Sequence, residues 1–135
     1  MTHKTRIFVV DDDDLIVSML ARALRSEGYE VRTESDPAAV IEQVRAFAPE
    51  VVLLDIKLPG RSGIELLEEI VVQGLARQVI MLTADDSAET AVKAMKLGAA
   101  DYLTKPFNLE EVQLVIAGAV EKGRLRREVD YLRRV

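Results

Sequence analysis

Val51-Val52-Leu53-Leu54-Asp55-Ile56-Lys57-Leu58-Pro59-Gly60-Arg61-Ser62-Gly63-Ile64-Glu65 (residues 51–65) carries the reading that decides the fold. Its first four residues are apolar without alternation, which predicts a central strand covered on both faces. The run ends on Asp55, and Pro59-Gly60 with Gly63 predicts a tight loop. Ile64, Leu67, Ile70 and Val71 then recur at helical spacing until Gly74 stops them. A buried strand, a short loop and an amphipathic helix make one β-α unit.

The same unit recurs on both sides. Upstream, residues 6–10 are a short strand-forming run, and Asp14 is placed to cap a helix through Leu15, Ile16, Met19, Leu20, Ala23 and Leu24 that Gly28 ends. Residues 29–33 alternate, with Tyr29, Val31 and Thr33 on one face and Glu30 and Arg32 on the other, as in a half-exposed edge strand. Asp36-Pro37 reads as a cap followed by proline at the first helical position. It opens a helix through Val40, Ile41, Val44 and Phe47 that Pro49 closes. Downstream, residues 78–82 are the fourth strand, and Ser87 is placed to cap a helix through Ala91, Val92, Met95 and Leu97 to Gly98. Residues 101–104 are the fifth strand, and after Lys105-Pro106 Asn108 caps a long last helix.

Five such units without internal repeats predict an α/β, doubly wound parallel sheet. Strands joined by helices run parallel, and right-handed crossovers place helices on both faces. The strand order 2-1-3-4-5 of flavodoxin-like folds, adopted by analogy, sets strand one beside strand three. Ligands in such sheets lie beyond the carboxyl ends of the strands, where strand order reverses.

Bulk composition narrows the class. The chain has 135 residues, 49% of them hydrophobic, enough for one domain that buries about two-thirds of its unfolded surface. Its net charge is 18 − 23 = −5, which argues against the domain as a whole gripping nucleic acid. With no cysteine, neither disulfides nor thiolate metal sites apply. No leader and no membrane-length apolar run is present, so a cytoplasmic protein without membrane contact is the expectation.

The strand ends gather Asp11-Asp12, Asp55, Thr83 and Lys105 on one edge. Three converging carboxylates repel one another, and a hard divalent cation removes that repulsion. Mg²⁺ suits an all-oxygen set of this kind, whereas the lack of cysteine and the lone His3 disfavour zinc or copper. Asp55, last in the most buried strand, is the candidate nucleophile, because carboxylates form aspartyl phosphates. The cation and the Lys105 ammonium would offset the charge of an incoming phosphoryl group, and the Thr83 hydroxyl can donate to one of its oxygens. Pro106 fixes the loop that aims Lys105, through either a cis or a trans bond. Each residue alone reads as a helix cap or a solvated loop. Their conjunction on four strand ends is what points to a site.

The stretches VVDDDD (9–14), VVLLDIKLPGRSGIE (51–65), MLTA (81–84) and DYLTKPF (101–107) closely resemble the receiver domain of two-component response regulators, over residues 5–121. The resemblance implies that Asp55 accepts a phosphoryl group from the phosphohistidine of a sensor histidine kinase. It implies that Asp11, Asp12, Asp55 and the backbone carbonyl of Lys57 arrange Mg²⁺, with Asp12 touching the metal directly and Asp11 acting through water. It further implies a switch in which Thr83 is drawn to the phosphoryl group and Tyr102 turns inward, altering the surface of the fourth helix, fifth strand and fifth helix. The Lys57 position varies in this family and influences dephosphorylation; its ammonium either pairs with an acid of the cluster or lies in solvent. Ala84 is small and leaves the site open, so labelling by acetyl phosphate is expected. No enzymatic activity beyond phosphotransfer to itself and hydrolysis is implied.

From Asn108 the helical pattern runs to Val135, interrupted only by Gly118 and Gly123. Residues 1–121 are expected to be the receiver, and 122–135 the start of a helical linker to an output domain missing from this sequence. Leu125, Val129 and Leu132 repeat at spacings of 4 and 3, as in a coiled-coil seam. Lys122, Arg124, Arg126, Arg127, Arg133 and Arg134 against Glu128 and Asp130 give this segment 6 − 2 = +4. A homodimer through this helix and the fourth-helix, fifth-strand, fifth-helix surface is the expectation. The segment is similar to the linker of nitrogen-regulation-type enhancer-binding activators, which implies a transcriptional output touching DNA only through the missing domain.

Three other functions fit parts of the pattern. A haloacid-dehalogenase-type hydrolase also uses a nucleophilic Asp with Mg²⁺ and a lysine, but places a second Asp two residues on, where this chain has Lys57. A degenerate receiver lacks one of the key residues, and here all are present. An FMN binder wants a Ser/Thr/Gly-rich first loop, and this one is acidic.

Overall fold

Every residue of Val51–Asp55, strand β3, is buried, as its unbroken apolar run requires. The computed structural model describes residues 4–84 and 87–134, leaving aside the side chains at 126–128, 130, 131 and 134. Around β3 lie β1 (Arg6–Val10), β2 (Glu30–Glu34), β4 (Gln78–Thr83) and β5 (Asp101–Thr104). All four pairings are parallel, and the strand order is 2-1-3-4-5, as expected. The helices are α1 (Asp14–Ser26), α2 (Val40–Phe47), α3 (Gly63–Gln73), α4 (Ala88–Lys96) and α5 (Leu109–Arg134).

Strand alternation sorts the core into two layers. Ile7, Val9, Val51, Leu53, Ile80, Leu82 and Leu103 face α1 and α5, where Leu20, Leu24, Val112 and Ile116 cover them. Phe8, Val10, Val52, Leu54, Val79 and Met81 face α2, α3 and α4, packing on Val44, Phe47, Leu66, Leu67, Ile70 and Ala94. With both faces covered, the central strands need no polar alternation.

Several boundaries differ from the sequence reading. The cap of α1 is Asp13, not Asp14: its Oδ1 accepts from the amides of Leu15 (3.0 Å) and Ile16 (3.3 Å). Asp14 is already helical, where its charge still favours the helix N-terminus. Strand β2 is shifted one residue on, and Tyr29 precedes it. Asp36 does cap, accepting from Ala38 N, but the turn it opens at Pro37–Ala39 is a 3₁₀ turn before α2 begins. In α4 the buried residue is the small Ala94, while Val92 and Met95 are exposed. A two-stranded antiparallel ribbon, Lys57–Leu58 against Arg61–Ser62, stands where a plain tight loop was expected.

Asn108 Oδ1 accepts from Glu111 N at 2.7 Å and starts α5. The helix is continuous across 121–122, so the expected boundary there falls inside an unbroken element. Its Val112, Ile116 and Ala119 are buried, whereas Leu114, Leu125, Val129 and Leu132 are exposed. His3, Val135 and the side chains of Arg126, Arg127, Glu128, Asp130 and Arg134 lie outside the described residues. Among the described residues no helix is long and apolar enough to cross a membrane.

Candidate functional site

The parity that sorts the core also assembles the site. Val9 is level with Leu53 and Val10 with Leu54, so Asp11 emerges from β1 beside Asp55 at the end of β3. Continuing the alternation puts Asp11, Asp55 and Lys105 on the α1/α5 side of the sheet edge. There Lys105 Nζ reaches Asp11 Oδ2 at 2.7 Å and Asp55 Oδ2 at 3.1 Å. Asp11 is fully buried and Asp55 is 3% exposed. Carboxylate oxygens of Asp11, Asp12 and Asp55 lie within 4.8 Å of one another. The sequence-predicted acids and the lysine are therefore brought together.

The acids are not equivalent. Asp11 Oδ1 accepts from the Asp13 amide at 2.9 Å, whereas its buried Oδ2 has only the ion pair with Lys105 at 2.7 Å among the described residues. Asp12 is exposed, and among the described residues nothing bonds its carboxylate. Asp55 Oδ1 accepts from the Lys57 amide at 3.2 Å, which folds the Lys57 backbone over the carboxylate. The Lys57 side chain points outward, exposed and without an ion pair among the described residues, so of the two options for its ammonium it takes the solvent.

Burial raises the Asp55 carboxyl above the ordinary aspartate range, the Asp11 charge adds to that, and Lys105 only partly offsets both. For Lys105, burial alone would lower the ammonium. The hydrogen bond to Asp11 and the charges of Asp55 and Asp11 outweigh it and leave Lys105 raised. Three carboxylates against one ammonium leave −3 + 1 = −2 at the cluster. That charge and an all-oxygen, hard donor set fit a divalent cation such as Mg²⁺.

Thr83 ends β4 fully buried, on the opposite parity, with Met81 and the α4 side. Its carbonyl accepts from Lys105 N at 2.7 Å, tying the lysine loop to β4. The Lys105–Pro106 bond is cis. Tyr102 pairs in register with Met81 and packs, half-buried, on the same α2–α4 core layer. Thr83 and Tyr102 thus share one face of the sheet, and Asp55 lies on the other.

Two features escaped the sequence reading. Gly63 brings α3 so close to β3 that a Cβ there would sit 2.1 Å from the Asp55 carbonyl oxygen. Its amide donates to Ile56 O at 2.7 Å. The other is the ion pairing of Arg61 with Glu65 and Glu69 of α3. The spacing of Arg61 and Glu65 by four hinted at it; Glu69 did not stand out.

The family comparison agrees with this geometry. Residues 7–117 match the response regulator receiver domain, and the chain belongs to that family. It is 35% identical to the regulatory protein AtoC of Escherichia coli over 98% of its length, and 37% identical to the nitrogen assimilation regulatory protein NtrX of Azorhizobium caulinodans over 96%. The chain spans 29% of each of those proteins. A solved receiver domain protein (CheY-like) from Methanospirillum hungatei superposes with a TM-score of 0.86 at 30% identity, over 92% of this chain and 99% of that one. The match to NtrX meets the expected likeness to nitrogen-regulation-type regulators. Receiver domains bind Mg²⁺ in an acidic pocket and interact with sensor kinases, and membership of this family sets the haloacid-dehalogenase reading aside.

Proposed function

We propose that Asp55 is the phosphoacceptor of a two-component switch, taking its phosphoryl group from a sensor histidine kinase at a Mg²⁺ site of Asp11, Asp12, Asp55 and the Lys57 carbonyl. The observation that carries it is Lys105 Nζ bridging Asp11 and Asp55 beside Asp12, whose carboxylate nothing bonds among the described residues. An Asp55 oxygen attacks phosphorus, the bond to the donor nitrogen breaks, and the imidazole leaves with that electron pair. Lys105 stays charged throughout and meets the phosphoryl oxygens with its ammonium. Thr83 lies one residue beyond Leu82, the register partner of Asp55, and donates its hydroxyl. Mg²⁺ held by these residues would supply charge neutralisation for the phosphoryl group. Asp12 is the direct ligand in this scheme, since its carboxylate is exposed and nothing among the described residues bonds it, while Asp11 is held by the Asp13 amide and paired with Lys105.

The output runs through Thr83. When its hydroxyl turns to the phosphoryl group, Tyr102 on the same face moves into the space released, and the α4–β5–α5 surface changes. Homodimerisation through that surface and the exposed Leu125, Val129 and Leu132 of α5 would pass the change to an output domain of the transcriptional kind. That related proteins of Mycobacterium tuberculosis and Bacillus subtilis are transcriptional regulators supports this part. Phosphotransfer to itself and hydrolysis of the acyl phosphate are the only chemistry assigned.

The test is incubation with acetyl phosphate and Mg²⁺, read by intact mass. Wild type should gain one phosphoryl group and Asp55→Asn should gain none. Equal gain by both proteins refutes the assignment of Asp55; no gain in the wild type refutes labelling by acetyl phosphate, and transfer from a kinase is then the step to assay.

A further inference from the structure

The ribbon at residues 57–62 is too short to hold itself. Its ladder has only the pairs Lys57–Ser62 and Leu58–Arg61 around the turn at Gly60. Leu58 anchors one strand in the core, and Ser62 Oγ accepts from Ile64 N at 3.1 Å at the start of α3. Gly63 N closes the base of the ribbon on Ile56 O at 2.7 Å, and Arg61 ties its outer strand to α3. Arg61 Nη2 lies 2.5 Å from Glu69 Oε2 and its Nε 3.7 Å from Glu65 Oε2, so one guanidinium spans the first and second turns of α3. Exposed ion pairs contribute little to stability. This one matters for where it sits: Arg61 is one residue from Ser62, which pairs with Lys57.

We propose that Arg61, clamped by Glu65 and Glu69, is a positioning residue that holds the Lys57 backbone in place for a divalent cation at the Asp11–Asp12–Asp55 cluster. The inference rests on the reading of that cluster as a Mg²⁺ site. Magnesium demands near-octahedral geometry and short bonds, so a carbonyl that drifts by a fraction of an ångström binds it poorly. Lys57 donates its amide to Asp55, and its backbone therefore couples ribbon position to the acid as well.

Charge and position predict opposite signs. Removing Arg61 leaves Glu65 and Glu69 uncompensated, which by Coulomb attraction alone would tighten a cation. A positioning role predicts weaker binding. The experiment titrates MgCl₂ into ¹⁵N-labelled protein and follows the Asp55 and Lys57 amides, with thermal melts run in parallel. Arg61→Ala should weaken Mg²⁺ roughly tenfold, at the low end of outer-shell effects on metal sites. Glu69→Gln should weaken it too, and the charge swap R61E/E69R should recover most of the loss. If Arg61→Ala does not fold, Glu69→Gln and Arg61→Lys carry the test. Unchanged or tighter Mg²⁺ in the folded variants overturns the proposal. A wild type whose amides do not respond to Mg²⁺ overturns the site reading itself, and this proposal with it.

Discussion

Two ion clusters flank the same loop, and they are built on opposite terms. Lys105 with Asp11 and Asp55 is largely withdrawn from solvent and carries more negative than positive charge. Arg61 with Glu65 and Glu69 lies about one-third to two-thirds exposed on the outside of α3. A solvated cluster of that kind costs little to form and contributes little to stability. A buried one with excess charge works against the fold, because repulsion and desolvation outrun the attraction of a single lysine. A chain that keeps such a cluster does so for a ligand or a reaction. The difference separates the site from its scaffold.

Deleting the buried counter-ion is the severest way to break that contrast. Lys105→Ala should slow labelling by acetyl phosphate on the order of 100-fold, the scale of losing one preorganised charge at a developing anion. Arg61→Ala, by contrast, should leave labelling at saturating Mg²⁺ close to wild type. Quenched time courses of phosphoprotein formation would decide; an equal loss in both variants would erase the distinction.

Gly63 sharpens it from the backbone side. Gly63→Ala forces a methyl group onto the Asp55 carbonyl and should destabilise by about 2–4 kcal/mol, as overpacking or backbone displacement does. Urea unfolding measures this. A change below about 0.5 kcal/mol, the size of an ordinary surface substitution, would mean that α3 can back away from β3.

The pH dependence of metal-free stability probes the buried charge itself. Because the folded-state value of Asp55 is raised, its favourable contribution is complete below the ordinary aspartate range and is lost as pH rises through the raised value. Asp55→Asn should therefore be more stable than wild type at neutral pH without metal, and the gap should close as pH falls through that window. Lys105, also raised, stabilises up to the ordinary lysine range and loses that contribution as pH rises through its raised value. Melting temperatures across pH, with EDTA present, read both effects. A gap that widens in acid would contradict the assignment of sign.

The smallest effect concerns the aspartate run. Asp13→Ala should cost about 1 kcal/mol, the usual value of an N-cap, and Asp14→Ala only a few tenths. The reverse ranking in chemical denaturation would restore Asp14 as the cap.

How much of this was legible in the sequence depended on whether a residue answers to its own strand or to a distant helix. The apolar run before Asp55 declares a doubly covered strand, and strand ends fix the edge on which Asp11, Asp55, Thr83 and Lys105 must lie. The engaged and unengaged states of Asp11 and Asp12 were not readable, because they depend on the Lys105 loop tied to Thr83. Asp14 was mistaken for the cap because four consecutive aspartates offer equivalent side chains. Only the backbone angles at Asp13 single it out. Val92 and Met95 kept helical spacing yet face outward, since the part of α4 that meets the core is the small Ala94. Arg61 escaped notice because Glu69, its nearer partner, lies eight residues away.

The central claim is that one acid of three, Asp55, becomes the acyl phosphate, and reductive trapping tests it most directly. Wild type incubated with acetyl phosphate and Mg²⁺, then treated with borohydride, should yield homoserine at position 55 on peptide sequencing, with none at 11 or 12 and none when EDTA replaces the metal. Homoserine at position 11 or 12, or equal trapping without Mg²⁺, would contradict the account.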